Sequence, residues 1–256
     1  MMAGGRDAMP ASTPAAATAT APVRVAAIDN LRGLAIIAMV AYHFCFDLRY
    51  FGFIVADFQR DPFWLHARTG ILSSFLFLAG IALVLAQGGT RSRGRFWQHV
   101  ARVAAGAMLV SVASTIVFPQ RFIWFGVLHA IAVCLVLARP LAQRPWLALG
   151  AGIAVLVAGN AWTSSWFDNR TWGWLGFMTA KPATEDYVPL FPWLGMMLLG
   201  MAAAHPLRRH GFRALAPCAR LPAWLGVLGR HGLAIYLVHQ PLLFGGLYLV
   251  AMGLCP

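Results

Sequence analysis

The sequence predicts an all-α, polytopic transmembrane helix bundle of about seven spans, and three observations predict it. Hydrophobic residues make up 60% of the 256, and only 11% are charged. That is less than half of the roughly one quarter usual in a soluble domain. Mean hydropathy is +0.68. Apolar runs near twenty residues recur along the chain, each long enough to cross a hydrocarbon core of about 30 Å. Such recurrence rules out one very apolar soluble core.

In chain order, residues 1–24 are rich in Ala, Thr and Pro. Low complexity and few large apolar residues predict a disordered cytoplasmic tail. Prolines interrupt the segment, so it lacks the continuous apolar stretch of a signal peptide. Residues 25–256 form the membrane domain. The first span is expected at about 31–50, opening after Asp29 and Arg32 and ending in the polar HFCFDLR stretch. The second (69–87) and third (98–117) follow, and an FPQR turn at 118–121 leads into the fourth, 122–138. The fifth is placed at 145–162, the short sixth at 190–204 and the seventh at 231–251. Two connecting segments, 51–68 and 163–189, are long enough to carry function.

A net charge of +12 could suggest nucleic acid. With seven spans, however, fourteen of the twenty Lys and Arg fall on the side of the N-terminus. The positive-inside rule then puts the N-terminus in the cytoplasm and the C-terminus in the periplasm, with lipid and not nucleic acid as the partner. Cys45, Cys134, Cys218 and Cys255 form no CxxC pair, so no metal is expected.

Candidate chemistry begins with His43 and Asp47, four residues apart at the end of the first span. Positions i and i+4 share a helix face, so a hydrogen bond between them is expected. A carboxylate beside an imidazole fixes its tautomer and raises its basicity, as a general base requires. Ionisable groups in lipid cost several kcal/mol and should face the bundle interior. His129 and His239 sit at similar depth in other spans, and His66 lies in the loop before the second. Histidines on three helices suggest a polar reaction chamber or haem ligation. Arg32 and Gly33 open the first span and Arg230 the last, where helix N-termini favour phosphate. Trp172 and Trp174 in the 163–189 loop are read as interfacial anchors or a sugar-stacking platform.

The motifs IDNLRGLAIIAMVAYHFCFDLRYFG, FLFLAGIAL, FPQRFIWFGVLHAIAV, DYVPLFPWLGMMLLGM and GRHGLAIYLVHQPLL, in this order, resemble the short bacterial members of the heparan-α-glucosaminide N-acetyltransferase catalytic-domain family. The last also resembles the wider group of membrane acyltransferases. The resemblance implies transfer of an acetyl group from cytoplasmic acetyl-CoA, by a membrane-embedded histidine, to an amino sugar or other envelope glycan or glycolipid beyond a bacterial inner membrane. It ranks His43 first as base or acyl acceptor, oriented by Asp47, then His129, then His66. Arg32, Gly33, Arg230 and His239 are assigned to acetyl-CoA. Trp172, Trp174, Asp186, Tyr187 and Trp193 are assigned to the acceptor. A homodimer is compatible with this reading. A haem-binding electron carrier and a non-catalytic transporter or assembly subunit are the alternatives.

Overall fold

A computed structural model describes residues 25–87 and 91–254; the tail expected at 1–24 and Cys255 lie outside them. Ten α-helices follow one another: α1 (Ala26–Tyr50), α2 (Pro62–Leu85), α3 (Arg91–Val117), α4 (Val127–Ala138), α5 (Pro145–Ala161), α6 (Arg170–Gly173), α7 (Leu190–Arg209), α8 (Ala216–Ala219), α9 (Ala223–Arg230) and α10 (Gly232–Leu254). Each of the seven expected spans falls on a helix. Five of these helices, α1, α2, α3, α7 and α10, are long and apolar enough to cross a membrane. The chain is therefore a multi-pass membrane protein. α4 and α5 are shorter: at 1.5 Å per residue, the 17 residues of α5 span about 25 Å.

Local sequence explains where helices begin. Asp61 caps α2 by accepting from the Phe63 N–H at 2.9 Å, and Pro62 occupies the first helical position, where no N–H is needed. α1 starts at Ala26, earlier than the expected 31, and α7 runs on to Arg209, past the expected 204. The fourth span is corrected at its start. Residues 122–126 are not helical, and Phe125 pairs in parallel with Tyr187. The reason is where the backbone hydrogen bonds go. Ser111 Oγ donates to Ile123 O, the Ile123 N–H donates to Ser114 Oγ, and Thr184 Oγ1 donates to Phe122 O. These partners satisfy the segment without a helical turn.

The main core lies among α2, α4, α5 and α7, around Leu76, Ile81, Cys134, Met197 and Met201. α7 packs between α2 and α5, and α1 against α9. Small residues allow the close approaches. A Cβ on Gly80 would fall 2.0 Å from Met197 O, and one on Gly200 2.0 Å from Phe77 O. α10 lies outermost, packing on α1 and α3 with most of its length uncovered.

Two ends of the bundle result. The loop face carries 51–61 and 162–189; the arginine face carries the starts of α1, α3, α5 and α10 and the end of α7.

Candidate active site

α1 and α10 bring their polar residues together near mid-helix. His239 Nε2 lies 3.3 Å from His43 Nδ1, with the ring centroids 4.9 Å apart. His43 Nδ1 also lies 2.9 Å from Met39 O, and His239 Nδ1 lies 2.8 Å from Tyr236 O. A carbonyl oxygen only accepts, so each Nδ1 carries the proton. In the neutral pair, His239 Nε2 then accepts from His43 Nδ1. This leaves His43 Nε2 with a lone pair and no protein partner among the described residues. It is the free basic nitrogen of the pair.

The expected His43–Asp47 hydrogen bond does not form. His43 turns to His239, and Asp47, 1% exposed, accepts from Gln240 Nε2 at 2.8 Å. The i,i+4 rule placed both side chains on one face correctly, but α10 supplies a nearer partner to each. Asp47 Oδ2 and Gln240 Oε1 are buried and have no hydrogen-bond partner among the described residues. One turn nearer the loop face, Phe244 meets Phe51 at 4.9 Å, Tyr50 at 5.2 Å and Phe118 at 5.7 Å between centroids. These aromatic rings cap the α1–α10 seam on that side.

His129, expected as the second catalytic candidate, is occupied at both nitrogens. The Gly126 N–H donates to its Nδ1 at 3.3 Å, and its Nε2 lies 3.3 Å from Ser111 Oγ. Ser111 gives its own proton to Ile123 O, so His129 Nε2–H is the donor. His129 therefore fastens the start of α4. Asp186 does the same from the loop, accepting the Val127 N–H at 2.8 Å. A carboxylate there also meets the positive end of the helix dipole. Burial pushes the Asp186 carboxyl above the usual range, opposed by that hydrogen bond and by Arg68, Lys181 and His129.

Around this anchor two cations, Arg68 and Lys181, gather on the loop face. Arg68 Nη2 donates to Tyr187 O at 3.2 Å and lies within electrostatic reach of Tyr42, Lys181 and Asp186. Burial, then the Arg68 guanidinium, hold the Lys181 ammonium below its ordinary range. Arg121 pairs with Glu185 at 3.0 Å. Tyr187 is buried and donates from its hydroxyl to Gly173 O at 2.6 Å; burial raises it to about 12. Tyr236 stands near both clusters. Its ring is 5.7 Å from that of His239, and it lies within electrostatic reach of Asp186.

The other expected residues disperse. Trp172 is exposed and stacks on Trp166 at 5.3 Å, offering an aromatic surface. Trp174 turns inward, donating to Thr171 O and packing on Phe125, and Trp193 packs half-buried against the main core. His66 is exposed at the start of α2, bonded to Pro62 O. Arg32 pairs with Asp29 at 3.3 Å. Gly33, expected to cradle phosphate, instead lies against α9, where a Cβ would be 2.1 Å from Leu225 O. His239, expected with the donor, belongs to the His43 pair. Arg230 lies near Gly226 and Asp29, and His99 on α3 lies within electrostatic reach of both Arg102 and Arg32. A cationic group thus forms on the arginine face.

Gln240, Arg68, Ser111 and Tyr236 were missed from the sequence. Gln240 had a signal, a polar side chain in an apolar run beside His239. Ser111 and Tyr236 had none, because their partners are distant in sequence.

The haem reading finds no support here. The pair expected to face each other, His43 and His129, is not brought together: His43 pairs with His239 at 3.3 Å, and His129 is bonded at both ring nitrogens.

The family model described as "Heparan-alpha-glucosaminide N-acetyltransferase, catalytic" matches residues 24–241. No curated protein and no solved structure matches the chain.

Proposed function

The chain belongs to the heparan-alpha-glucosaminide N-acetyltransferase catalytic family, and from that premise we propose that it carries an acetyl group from cytoplasmic acetyl-CoA to an amino sugar or other envelope glycan on the far side of a bacterial inner membrane. The loop face is outermost in this reading, and the N-terminus is cytoplasmic.

The observation that carries the proposal is the unbonded Nε2 of His43, set on an imidazole pair in which His239 is buried and His43 half-buried, between the arginine face and the Arg68–Lys181 group. Arg32, Arg102 and Arg230 suit the phosphates of the CoA nucleotide. His43 Nε2 takes the proton from the acceptor amine as its nitrogen attacks the thioester carbonyl. The C–S bond then breaks as the imidazolium returns that proton to the sulfur, and CoA leaves as the thiol. In an alternative order, Nε2 attacks first and passes the acetyl group on. In both, His239 accepts the His43 Nδ1–H and stabilises the positive charge that develops on the ring. Trp172, stacked and exposed, suits the face of a sugar ring.

The test is sided. Labelled acetyl-CoA is added to sealed inverted and right-side-out vesicles containing the protein, with glucosamine as the probe acceptor on both sides. Labelled N-acetylglucosamine forms with inverted vesicles and not with right-side-out ones. Equal labelling from both orientations, or none from either, contradicts the proposal.

A further inference from the structure

Between α1 and α2, on the side of α1 away from the His43–His239 pair, runs a groove of about 810 Å³. It begins near Leu31 and Leu207 at the arginine face and ends near Phe63 and His66 at the loop face. Along α2 the lining runs from Phe63 to Ile81, about 27 Å at 1.5 Å per residue, close to the depth of a hydrocarbon core. Small side chains hollow it: Ala35, Ala38 and Ala41 on α1, and Ala67, Gly70 and Ser74 on α2. Its rim opens to the membrane, with Leu34 41% and Phe63 65% exposed.

The walls say what fills it. They are overwhelmingly apolar, and both helices span the membrane, so hydrocarbon rather than water is the compatible tenant. Polarity is confined to one end. Tyr42 and His66 lie there, and Arg68 is within electrostatic reach of Tyr42. Arg68 bonds a carbonyl, and no carboxylate forms an ion pair with it among the described residues. Tyr42 is the chain neighbour of His43, with the rings edge-on at 5.8 Å, so the polar end of the groove and the imidazole pair stand on opposite sides of α1 at similar depth. The direct path along the α1–α10 seam is capped by Phe51, Phe118 and Phe244.

We propose that this groove holds the hydrocarbon chain of a lipid-linked acceptor, whose anionic head rests against Arg68 beside Tyr42. The inference rests on the acetyltransferase reading and names the class of its acceptor. The tail stays in the bilayer while the head stands at the loop-face end of the groove, so the acceptor arrives laterally.

The test is photolabelling of the full chain in phosphatidylcholine vesicles with a diazirine-tagged polyprenyl phosphate. Labels are expected on groove residues such as Ala38 and Ile71, at least tenfold above the outward residues Met108 and Val112 of α3. Gly70→Trp should reduce groove labelling tenfold or more. A Cβ at Gly70 meets nothing within 4 Å, so this variant should melt at the wild-type temperature while filling the channel. Tagged polyprenol without the phosphate should label several-fold less, and tagged phosphatidylcholine should show no preference for the groove. Even labelling of groove and α3, indifference to Gly70→Trp, or equal labelling by the neutral polyprenol would overturn the proposal. No acetyl transfer is read, so these outcomes leave the acetyltransferase reading standing.

Discussion

Asp186 and His129 show how two residues of catalytic type can be consumed by structure. Both tie down the start of α4, one from the loop and one from the helix itself. Replacing Asp186 with Ala leaves the Val127 N–H without its acceptor, and loss of such a cap costs about 0.5–2 kcal/mol. A drop of that size in denaturant unfolding is expected. The pH dependence has a definite sign. Because burial raises the Asp186 carboxyl in the folded protein, the folded state binds this proton more readily than the unfolded chain. The resulting stability is complete below the unfolded pKa and is lost as pH rises through the folded one. Asp186→Asn should flatten that part of the stability profile, and thermal melts across the acid range measure it.

The sequence marked His43, Asp47, His129 and Asp186 as unusual because polar groups stood in or beside apolar runs. It could not assign their partners. His43 has a plausible partner four residues away, yet its partner is 196 residues distant. Helix periodicity fixes which residues share a face but says nothing about which helix that face meets. Gly33 shows the same limit. Beside Arg32 at a helix start it reads as an anion cradle, whereas its missing side chain admits Leu225.

At the level of elements, close helix approach is the stabilising device in lipid, where association rests on packing and interhelical hydrogen bonds. α2 and α7 meet through Gly80 and Gly200. Gly80→Ala would force a methyl into the Met197 carbonyl, and overpacking of this kind costs about 1–3 kcal/mol. Gly70→Ala on the same helix meets nothing, so it should show the helix-propensity gain alone, a stabilisation of about 0.5–1 kcal/mol. Comparing the two variants by thermal melting in detergent separates packing from helix propensity. Helix positions were largely legible because long apolar runs define them. The start of α4 was not. Phe122–Gly126 reads as a continuation of the apolar run, and only Ser111, Ser114 and Thr184, from two other segments, draw its backbone out of the helix.

At the scale of the molecule, the bundle separates an arginine-rich face from a loop face of mixed charge by a thin polar layer. Arg32, Arg102 and Arg230 gather on one side, and Arg68 and Lys181 on the other. Between them stand His43, His239 and Tyr236. The sequence suggested one chamber enclosing His43, Asp47 and His129. The structure instead has two clusters, with Tyr236 beside His239 and within electrostatic reach of Asp186. This makes His43, His129 and His239 distinguishable by experiment, since of these three only His43 retains a ring nitrogen without a partner among the described residues.

The most direct measurement is therefore the turnover number for acetyl transfer in His43→Ala and His129→Ala, each first shown by thermal melting to be folded at the assay temperature. Loss of a general base costs about 10²–10⁴-fold. His43→Ala should fall by that factor with little change in melting temperature, whereas His129→Ala should lose stability and keep turnover within about tenfold while it remains folded. Wild-type turnover in a folded His43→Ala protein would contradict the account.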